Sequence, residues 1–362
     1  MDNDQALIKF SETNNPIYLY DVAPESINIL LENAPTAIAK YKNVNRSKAV
    51  KINNRKKEEI YLQRSLDIMD ILSESIPIVG SVNCGNFNPL DNIKNSCYLD
   101  SVSMALFAVP NDYITNAMFL TELTATKKPV YMCSDNKNDD LKYRKSVQKE
   151  LAKIALSFQG KSTLSVQNCT NLRSALEKCP GFKKHAKYHK GYQEDAGEYL
   201  EYILNMFPHM NNVLLTIQSQ LVEDLYKQLG NDQFVTIGYL LNTIYKKNEF
   251  TMDYFVVDIR RNNDPSNSFN LIPLRIFPTE RFTADNGNIY NLTAIVAWTK
   301  NNKENSGHYT AYIKCGLAWF HYDDDANMKI RKIGEYNTLL AGGHENSPNI
   351  ISNSTIFFYK KL

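Results

Sequence analysis

The sequence predicts an α+β protein of two lobes, a helical lobe over about residues 92–230 followed by an antiparallel β lobe over about 250–362. Two changes of texture carry that expectation. Up to about residue 230, apolar residues recur at helical spacing. Beyond about 250 they alternate in β-branched and aromatic runs separated by Asn, Gly and Asp turns. A chain of 362 residues is also long enough to bury a substantial core.

Residues 1–80 read as a separate, partly helical leader. Its stretch KKEEIYLQRSLDIMDILSES places Ile60, Leu62, Leu66, Met69 and Leu72 at roughly helical spacing. A helix packed on the main body is the first reading of that stretch, and a partner-binding arm is the second. In the helical lobe, CYLDSVSMALFAV carries apolar residues on one face and stops at Pro110. KYRKSVQKELAKIALSF, TNLRSALEKC, QEDAGEYLEYILNMF and NVLLTIQSQLVEDLYKQL read as further helices, and the basic GFKKHAKYHKGY as a solvated loop. The β lobe is built from DYFVVDI, FNLIPLRIF, YNLTAIVAWT, HYTAYIK, AWFHYD, MKIRKI and STIFFYK, with a turn at Asp285-Asn-Gly.

Composition excludes several classes of function. A formal net charge of +2 gives no general pull toward nucleic acid or a membrane surface. The start, MDNDQALIKFSE, lacks the basic and apolar regions of a secretory signal, and no stretch reaches the length of a membrane span. Six cysteines contain no C-x-x-C pair, so neither a zinc site nor a thioredoxin-like site is signalled, and no metal or cofactor is expected. Most cysteines are expected as small core residues of a monomer in a reducing compartment, the cytosol or nucleus. The abundance of Lys, Asn, Ile and Tyr accompanies AT-rich genomes, large DNA viruses and parasites among them, and carries no chemistry.

Three residues suggest chemistry. Cys97 opens an apolar helix, where unpaired N–H groups and the helix dipole favour negative charge on sulfur. His308 begins a strand in S-G-H-Y-T-A-Y-I, with Gly307 allowing close approach. Asp323 ends the next short strand in W-F-H-Y-D-D-D. In an antiparallel hairpin these last two can be neighbours, so that the carboxylate orients the imidazole.

N-I-K-N-S-C-Y-L-D-S resembles the cysteine box of ubiquitin-specific proteases, N-x-G-N-T-C-Y-x-N-S. Q-E-D-A-G-E-Y-L is similar to the family's Q-Q-D-A-x-E-F-L, and S-G-H-Y-T-A-Y-I with W-F-H-Y-D-D to its histidine box. S-T-I-F-F-Y-K is similar to its closing strand, so four blocks stand in the family's order between residues 92 and 360. The resemblance implies a papain-like cysteine protease fold, helical thumb before β palm, and a thiol-dependent deubiquitinase that cuts after ubiquitin's C-terminal glycine. It implies Cys97 as nucleophile, His308 as general base, Asp323 as orienting acid, Asn92 as oxyanion donor and Asp324 in support. Gln193, Asp195, Glu198 and Tyr309 would line the channel for ubiquitin's tail, and Tyr98 and Trp319 are further candidates for its walls.

The chain departs from the pattern in three places. Lys94 stands where the family has a glycine, a residue that commonly serves a backbone conformation others tolerate poorly. Asp100 replaces an asparagine. The finger insertion is short and lacks C-x-x-C pairs, implying reduced fingers without zinc. A protease for another ubiquitin-like modifier, and a catalytically silent ubiquitin-binding protein of the same fold, are the alternative readings.

Overall fold

The computed structural model describes residues 84, 87–121, 123–124, 131–159, 166–185, 194–229, 234–245, 250–261, 271–301, 306–341 and 350–362. The leader and Gln193 lie outside the described residues.

The helical lobe consists chiefly of α1 (Cys97–Phe107), α2 (Lys137–Phe158), α3 (Thr170–Glu177), α4 (Pro180–His185) and α5 (Ala196–Asn205). Side-chain caps set where two of them begin. Asn136 accepts from the backbone N–H of Asn138 and Asp139 ahead of α2, and Asp195 from that of Glu198 at 2.9 Å ahead of α5. The loop expected in GFKKHAKYHKGY begins instead as α4, because Phe182, 1% exposed, anchors it to the core.

α1 differs from the one-faced helix expected. It is buried on all sides except at Ala105, so it runs through the centre of the lobe. Its small polar residues find partners inside: Ser101 Oγ donates to the Tyr309 carbonyl at 2.9 Å. That bond ties the helix carrying Cys97 to the strand carrying His308.

NVLLTIQSQLVEDLYKQL is not one helix. Leu214–Ile217 form β1, and α6 begins only at Ser219 and runs to Leu229. The four residues are apolar or β-branched and alternate in burial against a neighbouring strand, which overrides a helical spacing that continues only later. There follow β2 (Phe234–Thr236), α7 (Ile237–Ile244), β3 (Tyr254–Ile259), β4 (Arg275–Phe277), β5 (Arg281–Thr283), β6 (Ile289–Asn301) and β7 (Ser306–Cys315). β8 (Ala318–Tyr322), β9 (Ile330–Gly334) and β10 (Ser354–Lys361) complete the strands among the described residues.

The main sheet has the order β1-β3-β10-β6-β7-β8-β9, with β5 paired to β6. It is mixed, where an antiparallel sheet was expected. β1 runs parallel to β3 because the chain between them returns through α6 and α7, the long connection a parallel pair needs; the remaining pairings are antiparallel. β2 and β4 form a separate parallel pair.

Both faces of the sheet are covered. Val256, Val296, Trp298, Ala311, Ile313 and Phe358 face the helical lobe, and their neighbours Val257, Ile295, Ala297, Tyr312 and Phe357 face a second core with α6 and α7. The central strands β3 and β10 are buried at nearly every position for that reason. Cys84 and Cys315 form a disulfide across 5.7 Å between Cα atoms, a pairing that no spacing in the sequence signalled. Cys97, Cys133, Cys169 and Cys179 are buried and take part in no disulfide among the described residues.

Candidate active site

The loop before α1 has an uncommon backbone. Lys94 and Asn95 take φ of 51° and 61°, the positive-φ non-glycine residues among those described. A lysine there costs roughly 1–2 kcal/mol relative to right-handed backbone, and asparagine less. Position 94 therefore adopts the left-handed conformation that glycine serves in the related pattern, and surrounding bonds hold it. Ile93 N donates to Ser96 Oγ at 2.9 Å and Ser96 N to Asn92 Oδ1 at 3.3 Å. Arg173 Nη1, from α3, donates to the carbonyls of Ile93 and Lys94 at 2.7 and 3.0 Å.

Nothing in the sequence around Arg173 marks it for this task, since an arginine on a helix is ordinarily solvated. It is only 6% exposed, and its charge strengthens both bonds. Arg173→Leu is expected to release the loop, read as at least about tenfold faster amide hydrogen exchange at Ile93 and Ser96. Exchange as slow as in the unaltered protein would show that Arg173 does not brace it.

Asn92 links the loop before α1 to the segment after β8. Its side-chain oxygen is occupied by Ser96 N, leaving the NH2 as the donor of that side chain. Its backbone N–H donates to the carbonyl of Asp324 at 3.4 Å, joining the loop to the segment after β8.

β6 and β7 pair antiparallel, with Thr299 opposite His308 and Lys300 opposite Gly307. Asp323 follows directly on β8, and its Oδ1 lies 2.7 Å from His308 Nε2. The ring also hydrogen-bonds the Cys97 sulfur. Cys97, His308 and Asp323 thus form one line of contacts drawn from α1, β7 and the end of β8. Burial works against a charged His308, but the bonds to Asp323 and Cys97 outweigh it and push its pKa up to about 11. For Asp323, burial opposes ionisation, yet the His308 contact prevails and holds the carboxyl below its usual value.

A second polar cluster lies by the N-terminus of α5. Arg260, at the end of β3, is 2.5 Å from Asp258, 2.9 Å from Glu201 and 3.7 Å from Asp195. Burial, partly offset by Arg260, raises the Asp258 pKa to about 7. A cavity of about 430 Å³ opens here, lined among others by Tyr131, Glu198, Glu201, Gln218 and Arg260. With Asp195 beside it, carboxylates outnumber the single arginine. Gly197 is required at this spot: a Cβ would stand 2.6 Å from an Asp258 oxygen. Sequence reading named Asp195 and Glu198 but missed Asp258, Glu201 and Arg260, which lie on other elements or carry no motif.

Asp195 is the cap of α5 rather than a residue within it, and its carboxylate turns back to the backbone N–H of Glu198. Tyr309 is 7% exposed, and its hydroxyl is bonded by the backbone of Ala196 at the start of α5. Tyr98 and Trp319 are fully buried, Tyr98 edge-on against Tyr199 and Trp319 in the core on the far face of the sheet. They are core residues and wall no channel.

A family model described as ubiquitin carboxyl-terminal hydrolase matches residues 89–359. No curated protein matches the chain. Among solved structures, the SAGA DUB module of Ubp8, Sgf11, Sus1 and Sgf73 bound to monoubiquitin is similar at a TM-score of 0.45 and 15% identity, over 76% of this chain and 69% of that one. The same module bound to ubiquitin aldehyde gives 0.44 and 16%, over 78% and 71%. A yeast SAGA DUB module with a mutant Sgf73 gives 0.44 and 14%, over 78% and 70%.

Proposed function

The chain belongs to the ubiquitin carboxyl-terminal hydrolase family, and from that premise we propose that it cleaves after ubiquitin's last glycine with a Cys97–His308–Asp323 triad and a thioester intermediate. It is a cysteine-type deubiquitinating enzyme of the ubiquitin-specific protease kind. The observation that carries the finer reading is the contact line from Cys97 through His308 to Asp323.

The steps follow from what each group can do. The Cys97 thiolate attacks the carbonyl carbon of the terminal glycine, and the carbonyl oxygen becomes negative. The Asn92 NH2 and the Cys97 backbone N–H are the donors for that oxygen, one such donor being worth roughly 3–4 kcal/mol of barrier. His308, held charged by Asp323, gives its proton to the departing lysine amine. The resulting thioester is opened by water, from which His308 takes a proton, and the thiolate is restored.

Accessibility supports a thin, flexible substrate. Cys97 is only 2% exposed, so a carbonyl reaches it most readily on an extended tail of small residues such as Gly-Gly. The surplus of carboxylates around Arg260 suits the two arginines of ubiquitin's tail, Leu-Arg-Leu-Arg-Gly-Gly. One chain supplies the whole triad, so the chemistry needs no second subunit. In sequence order, β1, α6, β2 and α7 fill the interval where the family carries its finger insertion, and ubiquitin's globular body would be held by this reduced segment.

The test is reaction with ubiquitin carrying a cysteine-trapping electrophile at its C-terminus, read by peptide mass spectrometry. One ubiquitin per chain on Cys97 is expected. Modification of another cysteine, or equal labelling by the electrophile without ubiquitin, would overturn the proposal.

A further inference from the structure

A pair of acids lies one turn below Cys97, and the triad does not account for it. Asp100 and the Asp324 side chain are both 0% exposed. Ser96 Oγ donates to Asp100 Oδ2 at 2.5 Å. The other Asp100 oxygen and both Asp324 oxygens are buried without a hydrogen-bond donor, although the two carboxyls face each other. Asp324 Oδ1 is 3.5 Å from His308 Nε2, but that nitrogen is committed to Asp323 at the shorter distance of 2.7 Å.

Two ionised carboxylates in buried contact repel each other and leave acceptors unmet. One retained proton removes both penalties, because the protonated carboxyl donates to the ionised one. An asparagine at position 100, as in the related pattern, would donate through its NH2 at any pH. An aspartate can do so only as the acid.

We propose that Asp100 is a positioning residue that keeps its proton in the native enzyme, donates it in a hydrogen bond to Asp324, and thereby holds Asp324 beside His308. Its other oxygen takes the Ser96 bond, so the same side chain also steadies the loop bearing Asn92. The inference rests on the catalytic reading above.

Burial and the facing Asp324 carboxyl favour the protonated form of Asp100 and outweigh the Ser96 and Cys169 hydrogen bonds, which favour the ionised one. Ser96 just ahead of α1, Cys169 just ahead of α3, Tyr199 on α5 and Tyr322 on β8 surround Asp100. Asp323, Asp325 and His308 surround Asp324. Burial and then the Asp324 charge push the Asp100 carboxyl well above the usual range, and burial pushes Asp324 up to about 6. A carboxyl whose pKa rises on folding contributes stability that is complete below its unfolded value and lost as pH climbs through its folded value.

The experiment compares Asp100→Asn and Asp100→Leu with the unaltered chain, in melting temperature from about pH 5 to 9 and in kcat and KM on ubiquitin-fluorophore. The unaltered chain is expected to lose melting temperature with rising pH more steeply than Asp100→Asn, which takes up no such proton. Asp100→Leu should lower kcat by about tenfold or more with KM little changed, and Asp100→Asn should recover most of that loss, since its amide replaces the donor. Parallel melting curves for Asp100→Asn and the unaltered chain would overturn the retained proton. Equal loss of kcat in both variants would overturn the positioning role. The melting comparison decides the first point even if the chain cleaved no ubiquitin, and activity dependent on Cys97 would leave the triad standing if the pair failed.

Discussion

Cys97→Ala is expected to lower kcat on ubiquitin-fluorophore by roughly four to six orders of magnitude, because removing one member of a nucleophile–base pair disables the whole. Binding of ubiquitin should survive. The substitution removes one sulfur from a side chain that is 2% exposed, and alanine suits the first turn of α1. His308→Ala should be nearly as damaging. Asp323→Asn should retain more activity, since it keeps the base and weakens only its support. The Asp323 bond helps raise the His308 pKa, so its loss should also move the alkaline limb of kcat/KM to lower pH. Turnover by Cys97→Ala within tenfold of the unaltered enzyme would sink the assignment of the nucleophile, and calorimetry with ubiquitin would show whether binding persisted.

Gly307→Ala is expected to be the most damaging change outside the proposed triad. A Cβ there would lie 2.1 Å from Cε2 and Cζ2 of Trp298, far inside any real contact. Trp298 is 6% exposed and belongs to the core beneath the helical lobe, so its ring cannot swing aside as the end of a flexible chain could. β7 has to move away from β6, and His308 is the next residue. A displacement of about 1 Å at a catalytic group can cost on the order of a hundredfold in rate, and the overpacking itself about 1–3 kcal/mol of stability. The measurement is kcat/KM at a temperature where circular dichroism shows the variant folded. A folded Gly307→Ala enzyme of ordinary activity would refute the argument. Adding Trp298→Ala should restore part of the rate, because it clears the space the new methyl needs.

The division of labour between sequence and structure follows from how far apart the interacting residues lie. Helices α1, α2, α3 and α5 were legible because their signals are local: apolar spacing, Asn and Asp caps, a proline just past the end of α1. β1 was not, because its four residues become a strand only by pairing with β3, 42 positions later. Cys97, His308 and Asp323 could be named from motifs that keep their residue types at fixed short offsets, and the folded chain brings the three into contact.

The sequence by itself determined the residue types at the site, including a lysine at a glycine position and an aspartate at an asparagine position. Only the tertiary structure decided what those departures mean. Lys94 keeps its left-handed backbone because Arg173 arrives from α3 to hold two carbonyls. Asp100 becomes one of an acid pair because Asp324 arrives from the end of β8. Gly307 is irreplaceable because Trp298 lies across the β6–β7 pairing, and the Cys84–Cys315 bridge spans 231 residues. Each of these is a contact between segments whose sequences carry no trace of the other. Burial then sets its strength, since desolvation and close packing act only once the chain has closed around them.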